Sequence, residues 1–351
     1  MRHRLVLGAL VGALALPSIV AVAPAGAADP ASERVAGRAV RWLDTVQQPD
    51  GSFELAGFPG FETPAAVLAI AEWGQADGTW STDEARAAVR RVREDGHNSL
   101  EALDDLADGE FGALSAGQAA KLIVLDVVPL GLDPTAFDPE RDGATDLVAV
   151  VLAGRRPDGS FGAFNATLYA ALAYSVLGRP VPSSTRQLIV SSQQANGGWD
   201  FAGDPSGAEV DVDTTGLALQ ALVAAGMGPG TTPVRRGLAF LARTQNADGS
   251  WPSLFEPKDP NATAVAVLAV TAAGGDVNGP CWRDQVAPEL AGQPYGDPDA
   301  WLRSQQAADG HIASPNDEFG VNTFATSQTV QALLRSWLPV ERAGLQPCPA
   351  A

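Results

Sequence analysis

Six times along this 351-residue chain an acidic or amide residue is followed by glycine and, one residue later, by a bulky apolar side chain. The copies are Asp50-Gly51-Ser52-Phe53, Asp108-Gly109-Glu110-Phe111, Asp158-Gly159-Ser160-Phe161, Asn196-Gly197-Gly198-Trp199, Asp248-Gly249-Ser250-Trp251 and Asp309-Gly310-His311-Ile312. A spacing of roughly 50 residues is that of repeat architectures, in which one supersecondary unit recurs and buries its apolar face against its neighbours. Five of the six turns keep an aromatic residue, and the glycine supplies the positive φ that ends a helix.

Two kinds of helix flank each turn. Ahead of most copies runs an amphipathic segment ending in glutamine, as in Trp42 to Gln48, Arg186 to Gln194, Val234 to Gln245 and Ala300 to Gln306; from Asp146 to Arg156 arginine takes its place. Behind each copy comes a run apolar nearly all round: Pro64 to Glu72, Leu114 to Val127, Thr167 to Leu177, Thr215 to Ala225, Thr263 to Ala273 and Thr326 to Trp337. A helix with no polar face belongs inside, and one with charge on one side belongs outside. The sequence therefore predicts an all-α fold, an α6/α6 toroid of six helical hairpins, with insertions at 74–100, 252–262 and 275–297. No polar capping repeat stands at either end, which favours one closed domain over 28–351 rather than an open solenoid.

The N-terminus reads differently. Arg2 and Arg4 precede an apolar run from Leu5 to Val22, and Ala25-Gly26-Ala27 offers a cleavage site before Ala28, so residues 1–27 read as a secretory signal peptide. No later stretch reads as a membrane span, and a net charge of −18 repels nucleic acid. In a secreted chain the two cysteines, Cys281 and Cys348, are expected to form a disulfide.

The turns resemble the QW-type repeats of the prenyltransferase and squalene-cyclase superfamily, whose members fold as α/α toroids, and the resemblance spans the mature chain. That superfamily includes triterpene cyclases, protein prenyltransferase subunits, thioester domains and cobalamin carriers of the intrinsic-factor type. The prenyltransferase zinc site needs Asp, Cys and His, but only His97 and His311 lie outside the signal peptide, and Cys281 sits in Gly-Pro-Cys-Trp rather than in a thioester segment. The cobalamin carriers hold their ligand against a second domain, for which nothing after Trp337 is long enough. No cofactor and no metal are expected. The acid motif of class II terpene cyclases, D-x-D-D-T-A, falls on Asp211-Val212-Asp213-Thr214-Thr215-Gly216, with Asp213 at the catalytic position and Thr214 replacing an aspartate.

Asp213 also reads as a helix N-cap, equivalent to Asn165, Asn261 and Asn322 ahead of other inner helices. With aromatics only 7% of the chain, a cage for carbocations is not expected. The residues Asn165, Thr167, Asp211, Asp213, Thr214, Asn261, Thr263, Asn322 and Thr326 are expected to ring one mouth of an apolar cavity and to bind a ligand there. The function expected on this reading is a secreted protein that binds a small apolar or amphipathic ligand, or an extracellular partner protein through the acidic loop from Asp204 to Asp211, without catalysis. The alternative is a class II terpene cyclase-like enzyme with Asp213 as general acid.

Overall fold

A computed structural model describes residues 28–54, 60–75, 80–109, 112–207, 209–315, 317 and 322–340. The signal-peptide segment and Cys348 lie outside these residues, so the cleavage and the disulfide stay expectations. Among the described residues the chain is all-α apart from one minimal hairpin. Helices α1 (Pro30–Val46) and α2 (Thr63–Trp73) form a first pair, followed by α3 (Thr82–Arg91) and strands β1 (Arg93–Glu94) and β2 (His97–Asn98). Next come α4 (Ser99–Asp108) with α5 (Ala116–Leu122), α6 (Leu147–Ala153) with α7 (Phe164–Val176), and α8 (Ser183–Ser191) with α9 (Val212–Ala224). Then α10 (Thr232–Thr244) pairs with α11 (Pro260–Ala272), and after the short α12 (Cys281–Val286), α13 (Pro298–Ser304) pairs with α14 (Thr323–Leu334).

The second helix of each pair is the buried one. In α11 every residue except Leu268 is buried. These helices pack in series, α5 on α7, α7 on α9, α9 on α11, α11 on α14 and α14 on α2, and a π-helical turn, Ile123–Val127, that continues α5 packs on α2. The series thus returns to its start. The first helices lie outside it, α10 against α9 and α1 against both α14 and α2.

Five of the six turns are held the same way. The backbone N–H groups of Phe53, Phe161, Trp199, Trp251 and Ile312 donate to the hydroxyls of Thr63, Thr167, Thr215, Thr263 and Thr326, at 2.9–3.0 Å, all in buried settings. The amides of Gln47, Gln193 and Gln306 donate to the carbonyls of Gly51, Gly197 and Gly310 four residues on, at 2.9, 2.7 and 2.9 Å. Where arginine replaces glutamine, the Thr185 hydroxyl reaches the Gly159 carbonyl instead, at 2.9 Å. Thr167, Thr215, Thr263 and Thr326 sit in the fourth position of their helices, so these helices begin three residues earlier than the sequence suggests. Threonine looked like a helix start because its hydroxyl commonly caps one; here the hydroxyl serves the preceding turn.

The last turn joins the first helix. Gln306 donates to the carbonyl of Val35 at 2.8 Å, Arg38 donates to the carbonyls of Ala307 and Ala308, and Arg303 pairs with Asp29 at 2.8 Å. Arg236 makes the Arg38-type contact inside the chain, to the carbonyls of Gln194 and Ala195.

Gly197 shows why the turns need glycine: its φ is +103°, and a Cβ there would lie 2.4 Å from the carbonyl oxygen of Arg236. Gly226 also has positive φ, +79°, but open space around it. By chemical denaturation, Gly226→Ala is expected to cost about 1–2 kcal/mol, the left-handed penalty alone. Gly197→Ala should cost a further 1–3 kcal/mol, roughly, for displacing the neighbouring helix.

Candidate active site

A cavity of about 680 Å³ opens among the buried helices. Its lining runs from the first turns of α5, α7, α9 and α14 down to Trp337, Leu338 and Pro339, which follow α14. That last segment is docked because Arg335 takes a left-handed conformation that ends α14, the Trp337 N–H donates to Glu72 at 3.1 Å, and the Trp337 ring lies 5.2 Å from that of Trp80. Aliphatic side chains such as Leu68, Leu172 and Leu268 make much of the wall. Six aromatic residues complete it: Phe61, Phe161, Tyr169, Phe201, Phe324 and Trp337.

Asp213 supplies the one carboxylate among the described lining residues. It is the second residue of α9 and not the cap; Asp211 is the cap, its carboxylate accepting from the Thr214 N–H at 2.5 Å. The surface that Asp213 retains faces the cavity. Burial, reinforced by the neighbouring carboxylates of Asp259 and Asp211, pushes its pKa up to about 8. Asp259 caps α11, bonding the N–H groups of Asn261 and Ala262. Asp213 therefore carries its proton at neutral pH, in a wall that is otherwise mostly apolar.

Lys121 is the cation of the lining. Its ammonium donates to the Phe61 carbonyl at 2.5 Å and lies 5.1 and 5.8 Å from the ring centres of Phe61 and Phe324. Burial lowers its pKa to about 8. Behind it, on the π turn, Asp126 is fully buried with neither carboxylate oxygen hydrogen-bonded, and burial raises its pKa well above the usual range.

The structure separates the nine residues expected at the mouth. Asn165, Asp213 and Thr214 line the cavity. Thr167, Thr263 and Thr326 are turned to the repeat turns by the bonds described above. Asp211 and Asn322 cap α9 and α14. Asn261 donates to Gln328 across to α14, at 2.9 Å. Capping is thus corrected for Asp213, Asn165 and Asn261, each of which stands second in its helix, two residues after the cap positions held by Asp211, Ala163 and Asp259; among the described residues Asn165 accepts only from the adjacent Ala166 N–H, at 2.7 Å. In α14 that second position is Phe324. The acidic loop from Asp204 folds on itself, with Asp204 bonded to Ser206 and Asp200 to Asp204.

The aromatic lining escaped the sequence because Phe61, Phe201 and Trp337 lie in connections, where no periodicity marks a facing direction. Phe324 carried a usable signal, since it stands at the helix position that Asp213 occupies in its own repeat.

No protein-family profile matches the sequence, and no curated protein matches it. Solved structures do resemble the fold. Type II terpene cyclase MstE from Scytonema shares 16% identity at a TM-score of 0.59, over 87% of this chain and 97% of that one. The same cyclase with its substrate, geranylgeranyl dihydroxybenzoate, aligns at 14% identity and a TM-score of 0.59, over 87% and 97% of the two chains. A protein from Actinoplanes shares 18% identity at a TM-score of 0.53, over 87% of this chain and 99% of that one. At such identities the likeness is one of fold. It nonetheless weighs against the expected non-catalytic binder: the fold is that of a cyclase captured with substrate, and here the acid-motif aspartate is a protonated cavity residue where a helix cap was expected. The expectation that aromatics are too few is corrected with it, since a low overall content is concentrated at the cavity.

Asp213 also leaves a signature in stability. Its folded pKa is above the unfolded one, so its stabilising contribution is complete below the unfolded pKa of 3.8, shrinks as pH rises, and is gone once pH passes about 8. Asp213→Asn, which cannot ionise, is expected to melt above the parent protein by a margin that grows between about pH 4 and 8 and is level above that. Thermal melts across that range measure it.

Proposed function

We propose that the chain is an α/α toroid of six helical hairpins and a class II terpene cyclase-like enzyme, an isomerase that cyclises a linear isoprenoid by protonating it from Asp213. The observation that carries this reading is the placement of one protonated carboxyl in a cavity with six aromatic walls. A cavity of about 680 Å³ is within the range that encloses a small apolar molecule. The Asp213 O–H bond breaks as a new C–H bond forms at an alkene carbon, leaving a tertiary cation one carbon away. Internal double bonds attack in turn, each forming a C–C bond, and the last cation gives a proton up to water, the electron pair of that C–H bond becoming the new alkene. The net change is isomerisation, and Asp213 regains its proton from water.

Burial keeps the proton on Asp213 at neutral pH, and the aromatic faces stabilise the cation that accepts it, each by up to about 2 kcal/mol when dry. The family places a further aspartate where Thr214 stands; here the second carboxylate acting on Asp213 comes from Asp259 of the next repeat. In this reading the enzyme is secreted after removal of residues 1–27, and Cys281 and Cys348 are paired. A glycosidase bound to glucose shares the fold at 13% identity, with a TM-score of 0.51 over 87% of this chain and 96% of that one. Hydrolysis of glycosides ordinarily uses two facing carboxyl groups, whereas the described lining holds one.

The test is turnover of linear C15 to C30 isoprenoids in deuterium oxide. The product should be a cyclic isomer carrying one deuterium, and Asp213→Asn should lose at least about 100-fold in rate. The rate should be level at neutral pH and fall as pH rises through about 8, because the protonated form is the active one. A cyclic product formed equally well by Asp213→Asn overturns the assignment.

A further inference from the structure

Away from the cavity, the connection from the π turn to α6 is pinned at its base by paired bonds between Phe137 and Thr145, at 3.0 and 2.9 Å. Between these residues lie Asp138, Glu140 and Asp142, in alternate positions and followed by Gly143. One carboxylate oxygen each from Glu140, Asp142 and Asp104, the last on α4, lie within 4.8 Å of one another. Like charges at that distance repel unless a proton or a cation sits among them.

Asp104 shows that something is wanted there. Its side chain is 1% exposed, and while one oxygen accepts the Glu140 N–H at 2.8 Å, the other is buried with no hydrogen-bond partner. A carboxylate oxygen withdrawn from water and left without a donor is costly.

We propose that Asp104, Glu140 and Asp142, with Asp138 beside them, bind a calcium ion that fastens the 137–145 loop to α4. The donors are all oxygens, which suits a hard cation and not zinc or copper. Acidic residues at alternate positions ahead of glycine follow the order of calcium-binding loops, in which glycine makes the sharp turn. Two of the three carboxylates are exposed, leaving room for the waters and the irregular, high coordination that calcium accepts and magnesium does not. The expectation of no metal rested on the missing zinc ligands, and this site has a different chemistry. Its validity does not depend on the cyclase reading.

The experiment uses the full mature chain stripped with a chelator. Calcium chloride, titrated up to about 10 mM, covers the millimolar affinities of extracellular calcium modules. Calorimetry should show one calcium per chain, and the Tm should rise and saturate, with magnesium at equal concentration giving a smaller rise. Glu140→Gln and Asp142→Asn, both at exposed positions, should each lower the affinity at least about 10-fold, and Asp104→Asn should abolish binding if it folds. Asp133→Asn, at an exposed neighbour whose carboxylate accepts from Thr135, should bind as the parent does. Absence of saturable binding, or binding unchanged in both Glu140→Gln and Asp142→Asn, overturns the proposal and assigns any calcium effect to the general negative charge.

Discussion

The bond from a turn N–H to a threonine hydroxyl in the following buried helix, made at five of the six turns, is a small interaction on which the cavity rests. It fixes the rotation of that helix about its own axis. Residues advance by about 100° in an α-helix, so a side chain two positions before the threonine points roughly 200° away from it. With Thr215 turned outward to the Trp199 N–H, Asp213 must face inward. The same relation aims Asn165 and Phe324 into the cavity from Thr167 and Thr326. A structural latch, repeated, thus decides which residues become functional.

Electrostatics then distinguishes the positions so aimed. Where the inward residue is asparagine or phenylalanine nothing titrates; where it is Asp213, an apolar wall and two capping carboxylates hold a proton at pH values where an ordinary aspartate has lost it. Lys121 shows that the opposite sign of charge is tolerated by the same surroundings, because its ammonium lies against the faces of Phe61 and Phe324. One cavity therefore contains an acid that resists ionising and aromatic faces already oriented toward a positive group.

The sequence made the helix alternation, the positive-φ turns and the order of the pairs legible, because apolar periodicity and glycine report directly on burial and backbone. All six turn glycines have positive φ, as their place in the repeat requires. Helix starts were less legible: a threonine that receives a hydrogen bond from a distant turn looks, in sequence, like one that caps its own helix. Asp213 was found by its motif, but its role was misread, since a cap and a cavity acid differ by two positions in register and only the true cap, Asp211, breaks the tie. Three aromatics of the cavity, Phe61, Phe201 and Trp337, were invisible for another reason. They come from connections whose direction is set by tertiary packing, as when Trp337 is carried back over Glu72 and Trp80.

The contact of Gln306 with Val35 joins residues 271 apart in the chain, and Arg38 and Arg303 reinforce it. A linear array can gain or lose a repeat at its end with little disturbance, but here the first and last units are each other's neighbours. Inserting another pair would pull that seam apart or force a wider circle, whereas extra residues in a connection would leave it intact. The seam also orders events during synthesis: α1 meets α2 early but its other neighbour, α14, only at the end, and until the final turn arrives the growing arc has two unmatched edges. Cooperativity of unfolding should follow the same logic, since a closed circle has no end from which to fray.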